Sequence, residues 1–206
     1  MDLQVKVCGM RDPENIVALA ALPIDYIGFI FYEKSPRFIS HVPKMTSIPE
    51  NLTKIGVFVN ASEKYIQEKV GEGLQGVQLH GTETAQTCLL FKQQGLVVLK
   101  AFGISQGFNW QQLYPYVDAV DYFLFDTKSD AHGGTGVAFD WKLLAEYPFQ
   151  VPYFLSGGLS LTNMEEAKNL GDARLQGLDL NSRFESAPAF KDIDKIANAL
   201  KIIKDE

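Results

Sequence analysis

Short apolar runs recur along the chain at intervals of about 25 residues and alternate with stretches of helical periodicity. Eight of them read as strands: Val5–Gly9, Tyr26–Tyr32, Lys54–Asn60, Gly76–His80, Val97–Gly103, Tyr122–Thr127, Tyr153–Gly157 and Leu175–Asn181. Most are rich in Val, Ile, Leu, Phe or Tyr without clean alternation, the pattern of strands buried on both faces. Between them, Ala85, Cys88 and Leu89 recur at helical spacing, and Ile193, Ile196, Ala197, Leu200 and Ile203 mark an amphipathic last helix. Cys88 therefore reads as a core residue of an outer helix. Strands that each lead into a helix or an irregular substitute predict an α/β fold of the (β/α)₈ TIM-barrel kind; a doubly wound open sheet is the competing architecture. At 206 residues such a barrel is small, so some helices must be trimmed. The weakest connections are Ser40–Glu50, with Pro43 and Pro49, and Gly107–Val120, with Pro115. No composition break, linker or low-complexity tract divides the chain, so one domain over residues 1–206 is the simplest assignment.

Composition narrows the function without naming it. A hydrophobic content of 46% with 21% charged residues is that of a soluble globular protein. Two cysteines give no disulfide framework and fit a reducing cytoplasm. No leader or membrane-length apolar run is visible, and a net charge of -6 disfavours nucleic acid as a partner. A small phosphorylated ligand stays possible, given local donors. The histidines and cysteines show no metal-ligand spacing, and no nucleotide-binding glycine fingerprint follows the first strand.

The first strand runs into Lys6-Val7-Cys8-Gly9-Met10-Arg11, and a helix follows at Asp12-Pro13, an N-cap residue and a residue suited to the first helical position. Alternation puts Val5 and Val7 on one face and Lys6 and Cys8 on the other. In a (β/α)₈ barrel chemistry gathers at the C-terminal ends of the strands. That rule selects Cys8, Arg37, Asn60, His80, Phe102, Asp126, Ser156-Gly157-Gly158 and Asp179-Leu180-Asn181-Ser182.

Within this set the last quarter carries a phosphate signal. Paired glycines after strand seven and a helix start after strand eight are the usual parts of a barrel phosphate site. Ser182 and Glu185 have capping-box spacing, which predicts a short helix before Pro188. Asp126 follows four apolar residues and is a candidate functional carboxylate; Asp140 reads as a structural cap. The glycine-rich loop His132-Gly133-Gly134-Thr135-Gly136 reads as a flexible cover. Arg37 suits a ligand carboxylate through its planar fork, and His80 could donate to a ligand or simply satisfy a strand end. Lys6, two residues from Cys8 on the same face, could stabilise a thiolate or pair with a carboxylate at the barrel bottom.

Taken together, Lys6-Val-Cys-Gly-Met-Arg11, Gly28-Phe-Ile-Phe31 with Ser35-Pro-Arg-Phe38, Gly56-Val-Phe-Val59, Gln78-Leu-His-Gly81, Phe125-Asp-Thr127, Gly133-Gly-Thr-Gly136 with Phe139-Asp-Trp141, Ser156-Gly-Gly-Leu159 and Asp179-Leu-Asn-Ser182 resemble the phosphoribosylanthranilate isomerases of tryptophan biosynthesis, from end to end and in the same order. The resemblance implies a barrel enzyme without cofactor or metal that performs an Amadori rearrangement. It implies Cys8 as general base, Asp126 as general acid, Arg37 at the anthranilate carboxylate, Gly157, Gly158 and Ser182 at the phosphate, and Asp179 near the sugar hydroxyls. His80 is kept with the substrate contacts. Arg183 departs from the pattern, standing where a small residue is commoner, so its side chain must leave the phosphate pocket open. A histidine-pathway sugar isomerase on the same barrel would carry aspartate at position 8. Two further readings compete: a thiol-nucleophile enzyme pairing Cys8 with His80, and a catalytically silent phosphate binder. Small barrels of this kind can stand alone, so a monomer is expected.

Overall fold

The computed structural model describes residues 3–44, 49, 51–128 and 138–205. Eight parallel strands close into a barrel in sequence order: β1 (Gln4–Cys8), β2 (Tyr26–Ile30), β3 (Thr53–Phe58), β4 (Gly76–Leu79), β5 (Val97–Ile104), β6 (Tyr122–Thr127), β7 (Tyr153–Leu155) and β8 (Leu175–Leu180). All eight apolar runs are strands, with ends moved by one or two residues in most. Closure comes from β1 pairing with β2 on one side and β8 on the other, which sets Cys8 opposite Gly28 and Lys6 opposite Asp179.

The helices α1 (Pro13–Ala20), α2 (Glu63–Gly71), α3 (Ala85–Gln93), α4 (Met164–Lys168) and α5 (Ile193–Lys204) lie outside. Asp12 caps α1 by accepting from the Asn15 amide at 2.9 Å, with Pro13 at the first position. In α3, Cys88 and Phe91 face the core, whereas Leu89 is 39% exposed and belongs to the outer side. α5 buries Ile196, Ala199, Leu200 and Ile203. The trimmed connections fall largely where prolines stand. Residues 110–116 and 141–146 form 3₁₀ turns instead of helices, the first around Pro115 and the second capped by Asp140 through the Lys142 amide at 3.0 Å.

Side-chain alternation divides the core in two. Val5, Val7, Ile27 and Phe29 join the large cluster between strands and helices. Tyr26, Ile55, Leu99, Ala101, Leu124 and Phe154 form a separate cluster drawn from five strands, which can meet only inside the barrel. Phe154 plugs this lumen, edge-on to Tyr26 at 5.5 Å and to Tyr122 at 5.2 Å. Above the plug the lumen turns polar. After β8 the chain makes a 3₁₀ turn (Ser182–Phe184) and then a two-stranded hairpin, β9 (Glu185–Ala187) and β10 (Phe190–Lys191). The capping box expected of Ser182 and Glu185 does not form. Glu185 lies in β9, and its carboxylate is taken by distant cations.

Candidate active site

The C-terminal mouth of the barrel holds a cleft lined by Cys8, Arg37, His80, Asp126, Ser156 and Asp179, with Ile30, Tyr32, Val57 and Gln78 among its walls. An adjoining recess shares Asp126, Ser156, Asp179 and Asn181 with it and adds Gly157, Gly158, Leu159 and Ser182. Every residue put forward from sequence as catalytic or substrate-binding thus lies on one of two contiguous hollows. Asn60 and Phe102, also selected by the strand-end rule, do not. The Asn60 side chain holds the Thr82 amide at 2.7 Å, and Phe102 packs on Tyr116 and Phe123. The glycine-rich stretch 132–136 lies outside the described residues.

Cys8 is 3% exposed at the end of β1. Its room comes from the next strand: a β-carbon on Gly28 would lie 2.8 Å from the sulfur and 3.1 Å from the Cys8 Cα. Burial pushes the thiol above its ordinary value, with Lys6 and Lys191 pulling the other way. Lys6 is fully buried, with its Nζ 3.0 Å from Asp179 Oδ1. Burial pulls the ammonium down, but Asp179 and Cys8 together hold it above its ordinary value. Burial also pushes the Asp179 carboxyl up, opposing the ion pair; the 3.0 Å contact decides in favour of the charged pair. Lys6 thus has the carboxylate partner considered for it, but in a dry interior instead of at a solvated barrel bottom.

Asp126, next to last in β6, has Oδ1 accepting from the Thr127 amide at 2.8 Å and Oδ2 3.6 Å from His80 Nε2. Burial raises its pKa from 3.8 to about 6, with Asp179 adding to the rise and the Thr127 amide and Lys6 opposing it. An unperturbed aspartic acid is protonated in roughly one molecule per thousand at pH 7; a group titrating near 6 is protonated in roughly one in ten. His80 Nδ1 lies 2.8 Å from the Gln78 amide, so its ring is oriented by β4 and turned toward Asp126. That orientation does not make it a base for Cys8. Gln78, a polar side chain 2% exposed inside a barrel strand, was the overlooked signal here.

The recess is shaped by the backbone. Gly157 and Gly158 both adopt positive φ, +81° and +69°. A β-carbon on Gly157 would strike the Thr127 amide at 2.5 Å and Asp126 Oδ1 at 2.6 Å. Among the described residues, neither glycine donates its backbone N–H to a protein acceptor. The turn is pinned from behind by Asn163, whose Nδ2 donates to the Gly158 carbonyl at 3.0 Å. Arg183 is exposed and lines neither hollow, so the position where it departs from the pattern leaves the recess open.

Arg37 reaches the cleft from the loop after β2. It makes a forked ion pair with Glu185, Nη2 to Oε2 at 2.7 Å and Nε to Oε1 at 2.9 Å. Lys191 Nζ binds the same carboxylate and Asn181 Oδ1. Glu185 and Lys191 had no visible sequence signal for this role, because β9 and β10 carry neither a long apolar run nor a motif. Among the described residues, no group of acidic, cysteine or histidine side chains could hold a metal ion.

Comparison with known proteins accords with this arrangement. The family model for N-(5'phosphoribosyl)anthranilate (PRA) isomerase matches residues 5–202. The chain belongs to that family. It is 43% identical over 204 residues to the N-(5'-phosphoribosyl)anthranilate isomerase of Parabacteroides distasonis, covering 97% of this chain and 92% of the relative. It is 44% identical over 189 residues to that of Phocaeicola vulgatus, covering 91% of each. Its fold superposes on the crystal structure of phosphoribosyl anthranilate isomerase from Thermotoga maritima with a TM-score of 0.87 and 32% identity, covering 99% of this chain and 100% of the other. A phosphoribosyl anthranilate isomerase in complex with reduced 1-(o-carboxyphenylamino)-1-deoxyribulose 5-phosphate superposes with a TM-score of 0.82 at 28% identity, over 99% of this chain and all of that one.

Proposed function

We propose that Cys8 and Asp126 act as base and acid in the Amadori rearrangement of N-(5'-phosphoribosyl)anthranilate to 1-(2-carboxyphenylamino)-1-deoxyribulose 5-phosphate. Isomerisation of this substrate, a step of tryptophan biosynthesis, is the reaction of the family to which the chain belongs. Asp126 donates its proton to the ribose ring oxygen, and the ring opens to a Schiff base conjugated with the aryl amine. Cys8, as thiolate, takes the proton from C2. The enolamine then tautomerises to the ketone. The observation that carries this reading is the raised Asp126 carboxyl in the same cleft as the thiol. A carboxylic acid that still holds its proton in a useful fraction of molecules near neutral pH is what ring opening requires.

The other contacts divide by chemistry. Free amides on left-handed glycines suit phosphate oxygens, so Gly157, Gly158 and Ser182 take the phosphate. Asp179, oriented by Lys6, faces the sugar hydroxyls, and His80 lies beside the acid. Arg37 takes the anthranilate carboxylate at the far side of the cleft. The base, the acid and the anion contacts come entirely from this chain's side chains and backbone.

The test is loss of fluorescence from freshly made substrate, followed for wild type, Cys8→Ser and Asp126→Asn. Both variants lose most of kcat while still binding the reduced product analogue. Full activity in either variant removes that residue from its role.

A further inference from the structure

The mouth of the cleft carries a buried cation, Lys191, outside the substrate contacts named above. Lys191 is 1% exposed, and its Nζ is held by Glu185 and, at 2.8 Å, by Asn181. The chain goes to some length to put it there. The hairpin that bears it is pinned to α1 by Asn15, whose side chain accepts from the Lys191 amide at 2.7 Å and donates to its carbonyl at 2.9 Å. Sinking an ammonium into a protein interior is unfavourable unless its charge is answered. Glu185 does not need Lys191 to be neutralised, because Arg37 already forks onto it.

The geometry of Arg37 supplies a reason. A guanidinium has two planar edges that can each meet a carboxylate. Glu185 occupies the Nε–Nη2 edge, leaving the Nη1–Nη2 edge for a second anion. Among the described residues, Nη1 of Arg37 has no hydrogen-bond partner. An arginine already paired with one carboxylate is electrically neutral with it, and a poor receptor for another. Adding Lys191 makes two cations to one carboxylate. The trio then keeps one net positive charge at a fixed orientation. Glu185 also accepts from the Ala189 amide at 3.2 Å, so its own position is set by the hairpin.

We propose that Glu185 and Lys191 are positioning residues for the aryl carboxylate of the substrate: Glu185 aims the free edge of Arg37 into the cleft, and Lys191 restores the positive charge that Glu185 removes. The inference rests on Arg37 being the carboxylate contact. Neither residue lines the cleft, so both act through Arg37.

The test compares binding of the reduced product with its analogue lacking the ring carboxylate, by calorimetry, alongside steady-state kinetics. Arg37→Met weakens the carboxylate ligand roughly 30-fold and leaves the other unchanged. Lys191→Met weakens the carboxylate ligand about tenfold, leaves the ligand lacking the carboxylate unchanged, and raises KM; the ligand comparison is the readout, because Lys191 also draws the Cys8 thiol down. In the double variant Glu185→Gln/Lys191→Met the charge balance returns and most of the lost affinity returns with it, which a merely structural lysine would not allow. Thermal melts identify any variant that fails to fold, and the double variant then serves as the deciding one. If Arg37→Met weakens both ligands equally, Arg37 is not the carboxylate contact, and that reading fails. If Arg37→Met discriminates but Lys191→Met does not, or the double variant shows no recovery, the positioning role alone is overturned.

Discussion

Gly28 stands beside Cys8 in the neighbouring strand, so close that a β-carbon there would come within 2.8 Å of the sulfur. The Cys8 Cα is also close, at 3.1 Å, so rotating the thiol away does not clear the contact. Gly28→Ala therefore displaces the base itself. The expected result is a folded protein less stable by about 1–3 kcal/mol, with kcat down at least about tenfold. Urea denaturation and turnover check the two parts, and wild-type turnover would show that the thiol has room to spare.

Asp126 links activity to stability. Its pKa rises from 3.8 to about 6 on folding. A carboxyl raised in this way contributes fully below pH 3.8 and loses that contribution as pH climbs through about 6. Above that window the ionised form costs the native state roughly 2–3 kcal/mol. Asp126→Asn keeps the acceptor for the Thr127 amide and removes the charge. It is expected to be more stable than wild type at pH 8 by roughly 1–3 kcal/mol, and to lose that advantage by pH 4. An advantage of the same size at both pH values counts against a buried, titrating carboxyl.

The rate profile follows from the same two groups. The reacting form needs Asp126 protonated and Cys8 ionised, yet Asp126 titrates near 6 and burial holds the thiol above its ordinary value. Between those two pKa values the reacting form is a minor but constant fraction, because losing the acid's proton and gaining the thiolate offset each other as pH rises. kcat/KM should climb up to about pH 6 and then stay level until the thiol titrates. A peak at pH 6 followed by a steady fall would mean that Cys8 is not the group being ionised.

Lys6 has two duties that one substitution separates. Lys6→Met strands Asp179 in the interior and should cost about 3–5 kcal/mol of stability. The ammonium is held above 10.5, so its contribution is present throughout neutral pH and fades only in strong alkali; burial pushes the stranded Asp179 carboxyl up, so the loss eases as pH falls and that carboxyl takes a proton. Lys6→Met/Asp179→Asn recovers part of it. In both variants the Cys8 thiol titrates higher, read as slower alkylation by iodoacetamide at pH 8, with the core thiol Cys88 as internal control. Unchanged alkylation across pH would release Lys6 from any part in activating the base.

The barrel strands were legible because each is an apolar run that must be buried on both faces, and prolines marked two of the connections that shortened. The strand-end rule then gathered Cys8, Asp126 and Asp179 at one mouth before any contact was known. The failures share a cause. Asn60 lies two residues past β3 and holds a loop, while Phe102 is still paired inside β5 and faces the helices, and which way a side chain points where a strand ends is not written in residue type. Glu185 read as a local cap for Ser182, whereas its partner Arg37 is 148 positions away in the chain. Lys191, clamped by Asn15 across 176 positions, left no local trace at all. Periodicity reports which face is buried; it does not report which distant charge waits there.

That the first strand is zipped to the eighth, and α1 to the hairpin beyond it, has a bearing on how the molecule is born. As the chain leaves the ribosome, Cys8 and Lys6 emerge early and must wait, one edge of β1 unpaired, until β8 and then Lys191 have been synthesised. Nascent chains halted before that point would carry the catalytic sulfur but no closed lumen around it, leaving the thiol as open to reagents as any free cysteine.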